Sequence, residues 1–147
     1  MILVAHRGNT KGPNPEIENN PEYILQAIAN GFYVEVDVWY DGSPTVGLGH
    51  DAPQYYVQVD FLQNPKIIAH AKTPATLEFL LKNSIHCFSH DKDDCVLTSM
   101  GWIWTYPGKE LTDISISVMP EWIFDDIKKC KVLNCKGVCS DFVAELL

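Results

Sequence analysis

At 147 residues, 46% of them hydrophobic and 20% charged, the chain reads as one globular domain over residues 1–147 with enough apolar material for a core. Its formal net charge of −8 argues against a nucleic-acid or anionic-membrane surface, so a bound anion is expected to be held by a few placed cations. No apolar run reaches the roughly 18 residues of a membrane span, and residues 1–5 lack a basic leader, from which a cytoplasmic location is expected.

Residues 1–5 are an apolar run expected to form a buried strand. His6-Arg7-Gly8 then leaves the strand for a turn-rich loop over 9–15. Asn20 as N-cap and Pro21 at the first helical position open a helix whose Tyr23, Ile24, Ala27 and Ile28 share a face, and Asn30-Gly31 ends it. A strand is expected over 32–40, a turn at Asp41-Gly42, and a short strand over 45–48 that ends at Gly49-His50-Asp51. Residues 52–65 read as irregular or as a weak strand, since Tyr55, Val57 and Val59 alternate between two prolines. A strand over 66–69 leads into His70-Ala71-Lys72. Thr73 caps a helix through 82, and a strand over 85–88 ends at Ser89-His90-Asp91. Residues 95–98 and 102–104 suggest a short hairpin. A strand over 114–119, a helix over 122–129, a strand over 137–139 and a helical turn over 141–147 complete the chain.

Apolar strands that end in polar residues and alternate with short helices imply an α/β fold with a parallel sheet. Six or more such strands suggest a small, trimmed TIM-like β/α barrel of mostly parallel strands. Barrels of that kind usually need about 250 residues, so several outer helices must be short or absent. The five cysteines show no tight pair spacing and read as free thiols; Cys130, Cys135 and Cys139 make only a weak zinc pattern.

Several strand ends carry chemistry. Glu35 and Asp37, two residues apart on one strand, face the same way and can reach one cation; alternatively they pair with Arg7 and Lys72 in the interior. Arg7 can grip a phosphate bidentately, with Lys72 as a second positive charge. Histidine is the side chain suited to moving protons near neutral pH, so His6 and His50 can divide base and acid duties across a phosphorus; taken alone, either can instead serve a loop or turn. His70 divides between metal ligand and hydrogen-bonding residue. Glu18 divides between ligand and helix-start carboxylate. His90, Asp91, Asp93 and Asp94 read more readily as a solvated loop than as a rim. Core packing is favoured over a stacking wall for Trp102, Trp104 and Tyr106, and Glu121 is a weak pocket candidate.

The ordered set His6-Arg7-Gly8, Glu18-Asn19-Asn20, Glu35-Val36-Asp37-Val38, Asp41-Gly42-Ser43-Pro44-Thr45-Val46 and His50-Asp51 resembles the glycerophosphodiester phosphodiesterase family, part of the phosphatidylinositol-phospholipase-C-like superfamily. The likeness covers the first third of the chain, and Gly137-Val138-Cys139-Ser140-Asp141 is similar to that family's last-strand ending. It implies a β/α barrel that hydrolyses a small-molecule phosphodiester with a divalent cation, Mg²⁺ or Ca²⁺, with Mn²⁺ a further option. In that reading His6 and His50 are the acid–base pair, Arg7 and Lys72 bind the phosphate, and Glu35 and Asp37 hold the metal, joined by His70 and Glu18. Two departures stand out: the segment between His50 and His70 is short, and His70 replaces a carboxylate, which moves preference away from Ca²⁺. A cyclising or phospholipase-D-like relative and a non-catalytic phosphate- or sugar-binding module are the alternatives, and the oligomeric state is left open.

Overall fold

In the computed structural model, which describes residues 1–147, the apolar runs assemble into one ten-stranded sheet. Its strands are β1 (Ile2–His6), β2 (Tyr33–Trp39), β3 (Val46–Leu48), β4 (Tyr55–Val57), β5 (Ile67–Ala71), β6 (Cys87–Phe88), β7 (Cys95–Leu97), β8 (Ile103–Thr105), β9 (Ser115–Val118) and β10 (Gly137–Ser140). Two α-helices accompany them, α1 (Pro21–Ala29) and α2 (Pro74–Lys82). Both helices start where a side chain can accept the free N–H groups: Asn20 accepts from Glu22 and Tyr23, and Thr73 accepts from Thr76.

Seven strands run parallel in the order β6-β5-β2-β1-β10-β9-β8. The β3–β4 hairpin joins β2, and β7 joins β8, by antiparallel pairing. Alternation along the strands sorts side chains onto two faces. Val34, Val36 and Val38 of β2 pack with Ile24 and Ala27 of α1 and Leu80 of α2. Glu35 and Asp37 take the opposite face.

On that second face Val4, Ile68, Phe88, Trp104, Ile116 and Cys139 form one cluster, although they come from β1, β5, β6, β8, β9 and β10. A flat sheet would separate β6 from β8 by roughly 29 Å at the usual strand spacing. Instead the Phe88 and Trp104 rings stack with centroids 4.8 Å apart. The sheet therefore curls until its ends meet.

The expected barrel closure is not what is found: β6 and β8 share no ladder and the sheet stays open between them. Ser99 spans the gap, its N–H donating to Cys87 O at 2.8 Å and its Oγ accepting from Cys87 N–H at 2.9 Å. β6 has only two paired residues before the charged run 91–94 leaves the sheet, so it offers no edge long enough for a ladder.

The helix expected over 122–129 is also absent. Asp126 is extended (φ −133°, ψ 115°) and its side chain accepts from Lys128 N–H, which starts a new 3-10 segment at Ile127–Val132 where continuous helix was expected. Residues 52–65 hold β4 and a 3-10 turn, Val59–Gln63.

Leu80 is fully buried where α2 meets the valine face. Leu80→Ala is expected to lower unfolding stability by about 3 kcal/mol, read from the shift of the urea midpoint at constant slope.

Candidate active site

Beyond the apolar cluster of the second face lies a cavity of about 580 Å³, lined in part by His6, Arg7, Glu18, Glu35, His50 and His70. His6 ends β1, Glu35 lies within β2, His70 lies on β5, and His50 follows β3. One stretch of curled sheet thus gathers polar residues spread across the first half of the chain.

Asp37 is buried beside this cavity and is held from four directions. Arg7 Nε lies 3.0 Å from Oδ2, His70 Nδ1 3.2 Å from Oδ1, and Lys72 Nζ 3.3 Å from Oδ1. Asn19 Nδ2 donates to Oδ2 at 3.0 Å while Asn19 Oδ1 accepts from the Asp37 N–H at 2.9 Å. Burial opposes the charge, but the His70 hydrogen bond and the Arg7 and Lys72 charges outweigh it and hold the Asp37 pKa well below the usual carboxylate range.

Glu35, two residues earlier on the same face, is the opposite case. It is buried, His70 Nδ1 lies 3.7 Å from Oε1, and Oε2 has no hydrogen-bond partner. Desolvation, with repulsion from Asp37, raises its pKa. The nearest positive group to Oε2 is His6 Nε2 at 4.0 Å.

Both candidate acid–base histidines are oriented in the same way. His6 Nδ1 lies 2.8 Å from Asp141 Oδ1, and His50 Nδ1 lies 2.8 Å from Asp51 Oδ1. With each Nδ1–H donated to a carboxylate, each Nε2 is left for other chemistry. Burial disfavours the His6 imidazolium, but the Asp141 hydrogen bond and the Glu35 charge overcome this and raise its pKa. His50 sits in a more exposed turn that depends on Gly49. A Cβ there would stand 2.0 Å from Ala52 O, and Gly49 O itself accepts from Trp39 Nε1 at 2.7 Å.

Charge summation exposes an imbalance. Four carboxylates, Glu18, Glu35, Asp37 and Asp141, are interleaved with two permanent cations, Arg7 and Lys72. With all four ionised, the carboxylates exceed these two cations by two charges, a difference that uptake of protons within the cluster, on Glu35 or on a neighbouring imidazole, or a divalent cation would make up. Glu35, Asp37 and His70 each offer a ligand atom, mutually within 4.8 Å. Together with the orphaned Glu35 Oε2, this donor set suits a hard cation with some tolerance for nitrogen.

The remaining expected residues fall into different places. Glu18 is engaged by Arg7 Nη1 at 3.1 Å and Asn9 Nδ2 at 2.8 Å and lies outside the three-residue donor group. Lys72 does not line the cavity, because its ammonium is paired with Asp37.

Three residues take parts that the sequence does not assign them: Asp141, which stands in the last-strand ending, as the partner of His6, Asn19, which stands in the Glu18-Asn19-Asn20 motif, as a partner of Asp37, and Asn9 as a bridge. Asn9 Nδ2 donates to both Glu18 and Asp141 while its Oδ1 accepts from Asn14 N–H and the Tyr23 hydroxyl. Opposite the charged half, the cavity wall is aromatic: His90 stacks on Tyr106 with centroids 3.6 Å apart, and Trp122 stands largely exposed at the mouth. Stacking, not only packing, occupies Tyr106.

Backbone strain is concentrated here. Arg7 (φ 55°), Asn19 (φ 63°) and Met119 (φ 44°), three of the four non-glycine residues with positive φ, all border the cavity. Main-chain bonds hold each of them: Arg7 N–H donates to Glu35 O, Asn19 N–H to Arg7 O, and Met119 N–H to Cys139 O.

The raised Glu35 pKa has a signed consequence. Below 4.5 the group is protonated in both folded and unfolded chains, and as pH rises through the higher folded value the folded state loses stability. In EDTA at about pH 8, Glu35→Gln is expected to be more stable than the parent by about 1 kcal/mol. The difference should vanish below pH 4.5, and thermal unfolding across pH measures it. Comparison with family models, curated proteins and solved structures finds no match to this chain.

Proposed function

We propose that the cavity is the active site of a metal-dependent phosphodiester hydrolase acting on small, glycerophosphodiester-type substrates. One observation carries the reading: two imidazoles, each with Nδ1 tied to a carboxylate, border the same cavity as a carboxylate cluster with an unpartnered Glu35 oxygen and a three-residue donor group. The ordered motifs from His6 to Asp51 support the same assignment. In this reading the curled sheet is a trimmed β/α barrel whose outer helices are reduced to α1 and α2.

Each group then has a task. Arg7 faces the cavity and binds phosphate oxygens, while its contacts to Asp37 and Glu18 fix the guanidinium against the pull of the anion. His6, held by Asp141, takes a proton at Nε2 from the attacking oxygen or returns one to the departing alkoxide. His50, which lines the same cavity, performs the complementary transfer. Its exposed turn admits the leaving alcohol, whereas His6 lies deeper. Glu35, Asp37 and His70 would hold the cation, which supplies Lewis-acid stabilisation of the charge growing on the phosphoryl oxygens. Lys72 keeps Asp37 ionised and oriented, so its influence on the phosphate is indirect.

The test is hydrolysis of glycerophosphodiesters and of a chromogenic phosphodiester with Mg²⁺, Ca²⁺ or Mn²⁺ and with EDTA. Turnover is expected only with metal, and His6→Ala and His50→Ala are each expected to lower kcat/KM by about 100-fold or more. Turnover that persists in both variants would place the chemistry elsewhere. A second readout is independent of activity: the activating cation should raise the Tm of the parent chain and leave that of Glu35→Gln nearly unmoved.

A further inference from the structure

Glu121 takes no part in the chemistry above, yet it is bound to the element that completes it. Its Oε1 accepts two hydrogen bonds from the end of β10, from Ser140 Oγ at 2.8 Å and from the Asp141 N–H at 2.9 Å. Its Oε2 is buried and has no partner. A carboxylate oxygen left unpaired in the interior is costly, so the two bonds made by Oε1 must hold the side chain in place.

The local backbone shows the same constraint. Met119 adopts a left-handed conformation immediately before Pro120, an arrangement retained only because Met119 N–H is fixed to Cys139 O at 2.8 Å. That turn carries Glu121 back against β10.

We propose that Glu121 is a positioning residue for His6, acting through Asp141; the proposal rests on the reading of His6 as an acid–base group. Asp141 is held at three points. Glu121 fixes its N–H, Gly12 N–H donates to its carbonyl at 2.8 Å, and its side chain meets His6 and Asn9. Of these, the Glu121 contact alone ties the Asp141 N–H and Ser140 Oγ to one acceptor at the end of β10. Without it Asp141 is held only through Gly12 and its side-chain partners, and its Oδ1 shifts relative to the imidazole. Because the requirement is for an acceptor at one place, a glutamine, which keeps Oε1, should serve nearly as well as a glutamate.

The experiment compares Glu121→Ala and Glu121→Gln by steady-state kinetics and by proton NMR of the His6 Nδ1–H. That proton is shifted downfield by the carboxylate and is assigned by its loss in His6→Gln. In Glu121→Ala the resonance should disappear and kcat should fall about tenfold or more with KM changed less than about threefold. Glu121→Gln should restore both. Retention of both resonance and kcat in the alanine variant would overturn the proposal, as would a fall in kcat with the resonance intact. Should Glu121→Ala not fold, Glu121→Asp, one methylene too short to reach β10, is read by the same two outcomes. Loss of the resonance in a protein whose parent hydrolyses no phosphodiester would keep the positioning role and reject the hydrolase.

Discussion

One buried carboxylate, that of Asp37, holds the parts of this site in register. Its four partners come from three places in the chain: Arg7 after β1, Asn19 before α1, and His70 and Lys72 at the end of β5. An isolated charge at that depth would cost several kcal/mol, so the fold is stable only with these partners in place. The loop after β1, the entrance to α1 and the end of β5 are thereby tied to β2 by charge and side-chain hydrogen bonds, in addition to the sheet ladder.

The same strand shows what happens when such satisfaction is withheld. Glu35 shares its face and its burial with Asp37, yet one of its oxygens is unpaired and its pKa moves the other way. Two like residues two positions apart therefore divide the work. Asp37 is surrounded by cationic and amide partners, and Glu35 keeps one oxygen without any. The positive-φ backbone at Arg7 and Asn19 belongs to this arrangement, because a relaxed turn after β1 would carry the guanidinium away from both carboxylates.

Much of this was legible in the chain wherever the signal was local. The period of two across Val34, Glu35, Val36, Asp37 and Val38 correctly separates the helix-packed face from the cavity face. The polar triplets after the apolar runs mark the strand ends that gather His6, His50 and His70. What was not legible depends on partners distant in sequence. Asn9 and Asn19 look like ordinary turn residues until Asp141 and Asp37 are seen beside them. The helix expected over 122–129 fails because the Asp126 side chain satisfies a backbone N–H in mid-segment, a competition that apolar spacing does not register. Whether a curled sheet closes turns on a few ladder bonds between β6 and β8, and no local propensity encodes them.

The pairing of β1 with β10 has a consequence for synthesis. Ile2 lies opposite Gly137, and His6 reaches its carboxylate across 135 positions of sequence. Contacts of such separation close a long loop and form late in folding. A nascent chain emerging from a ribosome can present His6, Arg7, Glu35 and His50 long before Asp141 is made, but it cannot seat the first imidazole against its carboxylate until β10 docks. The pairing of His6 with Asp141 is therefore among the last features of the fold to form.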